Sequence, residues 1–140
     1  MNLLSVRDYL QGVLPIDGLW FGIAKMDGRK PKALCLYGTP VRNDAGIKVG
    51  GMDCTGYRVK RMSLVLRAGV EPTEAERLAC AIHQACRIPV ACIGGRRGFM
   101  RPVDGEAYPL GADAFGVWEY RMDIELYYEL MQREEEEHDI

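Results

Sequence analysis

Residues 118–130 read WEYRMDIELYYEL. Trp118, Tyr120, Met122, Ile124, Leu126, Tyr128 and Leu130 occupy every second position, and Glu119, Arg121, Asp123, Glu125 and Glu129 lie between them, with Tyr127 the exception. A period of two is that of a half-buried strand. On a helix the same apolar set would spread around the whole cylinder. The stretch is therefore predicted as one long strand, with one face on a core and the other toward water or a charged partner.

A partner for it is written upstream. In residues 57–68, YRVKRMSLVLRA, the side chains Met62, Leu64 and Leu66 point one way, while Arg61, Ser63, Val65 and Arg67 point the other. Leu19–Met26 and Lys32–Tyr37 read as two more strands, apolar in both phases, joined by a polar connection that holds Asp27-Gly28. They are predicted as a hairpin longer than the tight two-residue kind, with both faces partly covered. Val90–Ile93 and Phe99–Val103 are predicted as short strands around Gly94-Gly95, and Asp104–Ala114 as a loop.

Two helices complete the order. Leu3, Val6, Leu10 and Val13 recur at helical spacing, with Asn2 or Ser5 as cap. Pro72 precedes Thr73-x-x-Glu76, a capping box, and Ala75, Leu78, Ala79, Ile82 and Cys86 form the stripe that follows. The sequence thus predicts an α+β domain: a mostly antiparallel sheet with two helices packed on one face. It spans residues 1–133, with 134–140 as an acidic C-terminal tail. Gly38–Gly56 is a long, glycine-rich central loop or projecting hairpin, and such loops are often functional.

Composition bounds the function. The 140 residues are 48% hydrophobic and 27% charged, enough for one core and too apolar for disorder. The net charge is −2, but Glu134, Glu135, Glu136, Glu137 and Asp139 crowd the end. Without them the body carries about +3 by the same count, which does not announce nucleic-acid binding. No apolar run approaches the ~18 residues of a membrane span, so no membrane partner is expected. Arg7 and Asp8 interrupt what a signal peptide would need, so secretion is not expected. Cys35, Cys54, Cys80, Cys86 and Cys92 are odd in number and lack CxxC, as suits reduced thiols in a cytoplasm.

Chemistry-bearing patterns are few. Cys80-x-x-His83-x-x-Cys86 holds zinc-ligand types, but on a helix Cys80 and Cys86 lie about 120° apart around the axis, with Cys86 on the apolar stripe. A thiol nucleophile would need His83 or His138 as its base. Gly94-Gly95-Arg96-Arg97-Gly98 lacks the spacing of a phosphate loop and reads as a hairpin turn. Lys60-Arg61, Arg96-Arg97 and Arg101 are candidates for one basic surface, touching a nucleic-acid backbone or an acidic neighbour without sequence readout. No cofactor fingerprint, metal cage or catalytic set stands out, and no enzyme activity or cofactor is expected. A small metal- or thiol-dependent enzyme is the alternative of a different class.

The segments GGMDCTGYRVKRMSLVLRAGVEPTEAERLACAI (50–82) and GADAFGVWEYRMDIELYYE (111–129) resemble the small minor capsid proteins of tailed bacteriophages, similar to the tail-terminator (tail-completion) proteins of long-tailed phages. Gly50-Gly51, Tyr57 with Lys60-Arg61 entering a strand, the Pro72–Ile82 helix, Gly111-x-Asp113, Glu119-Tyr120 and Tyr127-Tyr128 carry the resemblance, which runs from about residue 18 to 130. It implies a homo-oligomeric ring of six copies at the head-proximal end of the tail tube, joining tail to head. Implied partners are the tail-tube protein, head-completion or neck proteins, and DNA passing through the lumen without sequence recognition. Implied location is the virion, after assembly in the host cytoplasm. Another neck, head-completion or tail-tube subunit is the runner-up. A head-to-tail ring needs two unlike surfaces per subunit. Asn43, Asp44, Ile47, Val49, Gly50 and Gly51 of the central loop, and Glu119, Arg121 and Asp123 of the last strand, are the expected subunit-interface residues.

Deleting residues 43–52 is expected to leave a folded domain, since they add little to the apparent core, and to impair ring or tail joining. A deletion mutant that assembles normal virions would defeat this expectation.

Overall fold

The computed structural model describes residues 1–14, 16–39 and 56–130. In chain order these form α1 (Leu3–Val13), β1 (Trp20–Ile23), β2 (Lys32–Gly38), β3 (Tyr57–Ala68), α2 (Pro72–Ala85), β4 (Ile88–Ile93), β5 (Arg96–Pro102), β6 (Tyr108–Ala112) and β7 (Trp118–Glu129). The class is α+β, with one mixed, seven-stranded sheet ordered β1-β2-β3-β7-β5-β4, and β6 also paired to β7.

The two strands with the clearest alternation lie side by side at the centre. β3 and β7 pair antiparallel from Tyr57↔Glu129 to Arg67↔Glu119. That register sets Met62 opposite Ile124, Leu64 opposite Met122 and Leu66 opposite Tyr120. Leu34 and Leu36 of β2 and Met100 of β5 continue the same layer through Leu34↔Leu66, Leu36↔Leu64 and Met100↔Leu126. Val6 and Leu10 of α1 and Ala75, Ala79 and Ile82 of α2 join this layer in one apolar cluster. α1 lies against β1, β2 and β4, and α2 against β3 and β7.

Local chemistry accounts for the helix ends. The Asn2 side chain accepts from the Ser5 N–H at 2.9 Å and caps α1. Its buried stripe is Val6 and Leu10, continued by Leu14 beyond the helix, while Val13 stays exposed. At α2 the predicted Thr73–Glu76 box gives way to Glu71. Its carboxylate accepts from Thr73 N at 3.2 Å and Glu74 N at 2.7 Å, with Pro72 inside the first turn. Proline has no N–H to satisfy there, and a carboxylate suits the positive end of the helix dipole.

Two strand expectations are corrected. β1 and β2 are not a hairpin; they pair parallel, from Trp20↔Ala33 to Ile23↔Leu36. Ala24 adopts φ 58° and its N–H donates to the Leu36 carbonyl at 2.7 Å, so the chain leaves β1 by a left-handed kink. The carbonyls of Lys30 and Gly28 then accept from the Arg67 guanidinium at 3.1 and 3.5 Å. The return segment therefore lies over the sheet face that carries Arg67. Ala33, Leu34, Cys35 and Leu36 are all fully buried, as expected for a strand covered on both faces.

The second correction concerns Asp104–Ala114, which contains β6. It pairs with the first half of β7 (Tyr108↔Arg121 to Ala112↔Trp118), while β5 takes the second half of the same edge. Pro109 and a bulge ending at Gly111, φ 99°, hid this strand from a propensity reading. Strand prolines and bulge glycines are tolerated in this way at sheet margins. Between β4 and β5 the expected turn is present. Gly94 and Gly95 carry φ 61° and 76° and join strands paired Ile93↔Arg96, as a tight two-residue hairpin demands.

Gly98 is needed for a different reason. A Cβ there would lie 1.7 Å from the Tyr127 carbonyl oxygen, so β5 approaches β7 too closely for any side chain. Backbone cannot yield as a flexible side chain can. Gly98→Ala is expected to cost ~2–3 kcal/mol, the scale of overpacking, read as a lower urea midpoint with an unchanged slope. A midpoint equal to that of the parent chain would show that the β5–β7 approach is not tight.

Candidate functional site

Alternation puts the odd-numbered residues of β3, β5 and β7 on the face opposite the apolar cluster, and there Arg61, Ser63, Arg67, Arg101, Glu119, Arg121, Asp123 and Glu125 form a polar layer. Glu125 is its centre. Only 7% of the residue is exposed. Arg61 from β3 pairs with one carboxylate oxygen, and Arg101 from β5 donates to the other at 3.1 Å. Burial pushes the Glu125 carboxyl up, and the hydrogen bonds from Arg61 and Arg101 outweigh it, so its pKa lies below the ordinary 4.5. The Arg101 guanidinium also sits 5.5 Å from the Tyr127 ring centroid.

A second knot lies toward the start of β7. Arg67, 5% exposed, donates to Asp113 at 2.8 Å and Glu119 at 3.1 Å, besides the two carbonyls of the β1–β2 return. Asp113 also accepts from Phe115 N and Val117 N, at 2.8 and 3.0 Å. These bonds hold its carboxyl below the usual range, Arg67 contributing most. One buried cation thus ties β3, β7, the β6–β7 turn and the return segment together.

Between the knots, Asp123 accepts from Ser63 at 2.7 Å and from Arg121 at 3.1 Å. The three last-strand interface candidates, Glu119, Arg121 and Asp123, are therefore all engaged within the chain. Arg121 and Asp123 also line a shallow cleft of about 440 Å³ with Asp104–Pro109. The other candidates, Asn43, Asp44, Ile47, Val49, Gly50 and Gly51, lie outside the described residues, as do the acidic tail, Cys54 and His138.

The expected basic surface is split by the pleat. Arg61 and Arg101 converge on Glu125, whereas their neighbour Lys60 aligns with Leu126 on the other face. Arg96 donates to the Leu130 carbonyl and lies 5.9 Å from the Tyr128 ring centroid, while Arg97 lies on the side of Phe99 and Arg101. Adjacent residues in a strand point to opposite sides, so Arg-Arg and Lys-Arg pairs do not make a patch.

The Cys80–His83–Cys86 set does not converge either. Cys80 is exposed and Cys86 fully buried. Burial pushes the Cys86 thiol up to about 12, which keeps it protonated and poorly nucleophilic at neutral pH. The buried His83 ring is engaged with the Asp104 carbonyl at 2.9 Å. Among the described residues no group of three His, Cys, Asp or Glu is placed to hold a metal ion.

What sequence reading missed is an aromatic groove of about 500 Å³ at the far end of β7. Tyr57, Pro89, Val90, Arg97, Phe99, Tyr127, Tyr128 and Glu129 line it. Phe99 stacks on Tyr127 with centroids 4.6 Å apart, and Tyr57 lies tilted at 5.9 Å on the same ring. Phe99↔Tyr127 and Val59↔Tyr127 are register partners, so the groove is written in the pairing and not in any one segment. Val90 is 69% exposed at its rim. At the opposite end of β7, the β6–β7 hairpin exposes Tyr108, Leu110 and Phe115, the last at 83%.

No family model matches this chain, and no curated protein does. Several solved structures match; one of them, whose name carries no functional word, has a TM-score of 0.45 at 17% identity and covers 94% of this chain and 96% of its own length. Among the described residues no helix is long and apolar enough to cross a membrane.

The Glu125 cluster yields a pH signature. A carboxylate whose folded pKa is depressed stabilises fully above its unfolded value, about 4.5, and the effect is lost as pH falls through the folded value. Urea midpoints measured from roughly pH 7 to 3 are expected to fall on the acid side. Glu125→Gln is expected to flatten that acid limb, and an identical acid limb in the variant would contradict the assignment.

Proposed function

We propose that this chain is a structural virion protein of a tailed phage, a tail terminator that forms a ring at the head-proximal end of the tail tube. It stops tube growth there and offers a surface to head-completion proteins. DNA passes through its lumen without sequence recognition.

The observation that carries this reading is the distribution of exposed apolar side chains. Among the described residues, Val90 and Phe99 lie exposed at the groove with Tyr57 and Tyr127, and Tyr108, Leu110 and Phe115 on the hairpin at the opposite end of β7, while Leu4, Val13, Val70 and Val103 are exposed elsewhere. Head-to-tail assembly requires two different surfaces on each copy, each complementary to the other. The polar face between them is largely neutralised internally, through Arg61–Glu125–Arg101, Arg67–Asp113–Glu119 and Arg121–Asp123. Such a face is a stiff plate for stacking against another ring rather than a pocket for turnover. The same reading takes the sheet as mostly antiparallel with both helices on one face. In its support, α1 and α2 contribute to the same apolar cluster as Met62, Leu64 and Leu66. A neck or tail-tube subunit would use the same surfaces, and the experiment below separates them.

The gene is disrupted in its phage and the lysate is viewed by electron microscopy. A terminator is expected to leave tails of uncontrolled length that do not join to heads. Absence of tail tubes would make this the tube subunit, tails of normal length left unjoined to heads would make it a neck or head-completion protein, and normal virions would overturn a role in the particle altogether.

A further inference from the structure

We propose that the β6–β7 hairpin of one copy docks into the aromatic groove of the next, through Phe115 and Leu110 against Val90, Phe99 and Tyr127. This rests on the ring reading above and names the contact that builds the ring.

The two surfaces are complementary in kind. The groove is concave, about 500 Å³, and walled by stacked aromatic rings. The hairpin presents Phe115 and Leu110, 83% and 49% exposed, on a turn held rigid by the Asp113 side chain bonding Phe115 N and Val117 N. An aromatic anchor carried on a stiff turn loses little freedom on docking, and a central aromatic in a desolvated pocket is the usual source of binding energy.

Charge points the same way. Between Arg101 and Arg121 the chain holds Asp104, Glu106, Asp113 and Glu119 and no Lys or Arg; Arg67 pairs with Asp113 and Glu119 and offsets one charge, which leaves the hairpin side net acidic. Around the groove, on the face that carries Phe99 and Tyr127, stand Arg61, Arg97 and Arg101, against Glu125 and Glu129. An acidic hairpin therefore meets a groove of net positive surroundings, which favours this pairing over hairpin on hairpin.

Geometry makes the contact intermolecular. The twelve residues of β7 separate hairpin from groove by about 35 Å at strand rise. A hairpin cannot reach its own groove, so each copy has one free donor surface and one free acceptor surface. Repeating that contact closes a ring if the rotation closes.

The test uses the full chain with Cys54, Cys80 and Cys92 changed to Ser, folding being checked by circular dichroism. Phe115→Cys is placed in one preparation and Val90→Cys in another, and the two are mixed under mild oxidation. The control pairs Phe115→Cys with Val70→Cys, 62% exposed and outside the groove. The expected result is a disulfide-linked mixed dimer in the first mixture only, and a ladder of linked copies from the chain carrying both Phe115→Cys and Val90→Cys. Sedimentation velocity of the chain without added cysteines, with and without Phe115→Asp, is run alongside. Losing one buried aromatic anchor is expected to weaken association about tenfold or more. Multimers without the mixed link, or with links equal to the control, would overturn this contact and leave the ring reading standing. Monomers without the link would also overturn the contact, and the virion micrographs would then decide the ring reading alone.

Discussion

The antiparallel pairing of β3 with β7 is the constraint on which the rest of the molecule depends. The two strands run together over the whole stretch from Tyr57↔Glu129 to Arg67↔Glu119. Because side chains alternate, one register decides both faces at once. It stacks Met62, Leu64 and Leu66 on Ile124, Met122 and Tyr120, and in the same act sets Arg61 on Glu125 and Arg67 on Glu119. A slip by one residue would put the arginines into the apolar cluster, so the alternative registers are excluded by desolvation as well as by lost packing.

β2, β5, β6 and α2 attach directly to this pair, and β1, β4 and α1 attach through them. β2 lines the free edge of β3, and β5 and β6 divide the free edge of β7 between them. That division places two different structures at the two ends of one strand. At one end the close approach permitted by Gly98 brings Phe99 onto Tyr127. At the other, Asp113 and Arg67 fasten a turn that carries Phe115 into solvent. The unlike ends that the proposed assembly needs follow from one long strand being served by two short ones.

The polar layer shows why a carboxylate is tolerated within a sheet. Glu125 gives up most of its water, which alone would favour its neutral form. Two arginines from the flanking strands restore the charged form, each reaching a different oxygen. Buried charges of this kind hold geometry more than they add net stability. Here they pin three strands against sliding and leave the face largely satisfied within the chain, and the proposed assembly uses the apolar ends instead.

Periodicity alone made the long strands readable. Residues 57–68 and 118–129 have the bounds and the inward faces that alternation predicts, because one wet and one dry face writes a period of two into the chain. Both helices and the Gly94-Gly95 turn were legible for similarly local reasons: a stripe at helical spacing, and φ values that glycine supplies cheaply. The direction of β1 relative to β2 was not legible, since an apolar strand reads the same for either direction and a polar connection serves a hairpin or a return. β6 was hidden by Pro109 and Gly111, which only a place at the sheet margin makes acceptable. Nor did any segment announce the aromatic groove or the Arg67 knot. Both bring together residues far apart in the chain, and only register creates them. The sequence by itself determined the apolar faces of the two long strands and of the two helices, and their local form. Which charges meet, which strands run parallel and which aromatic rings share a groove were decided by tertiary pairing, because those energies exist only between segments.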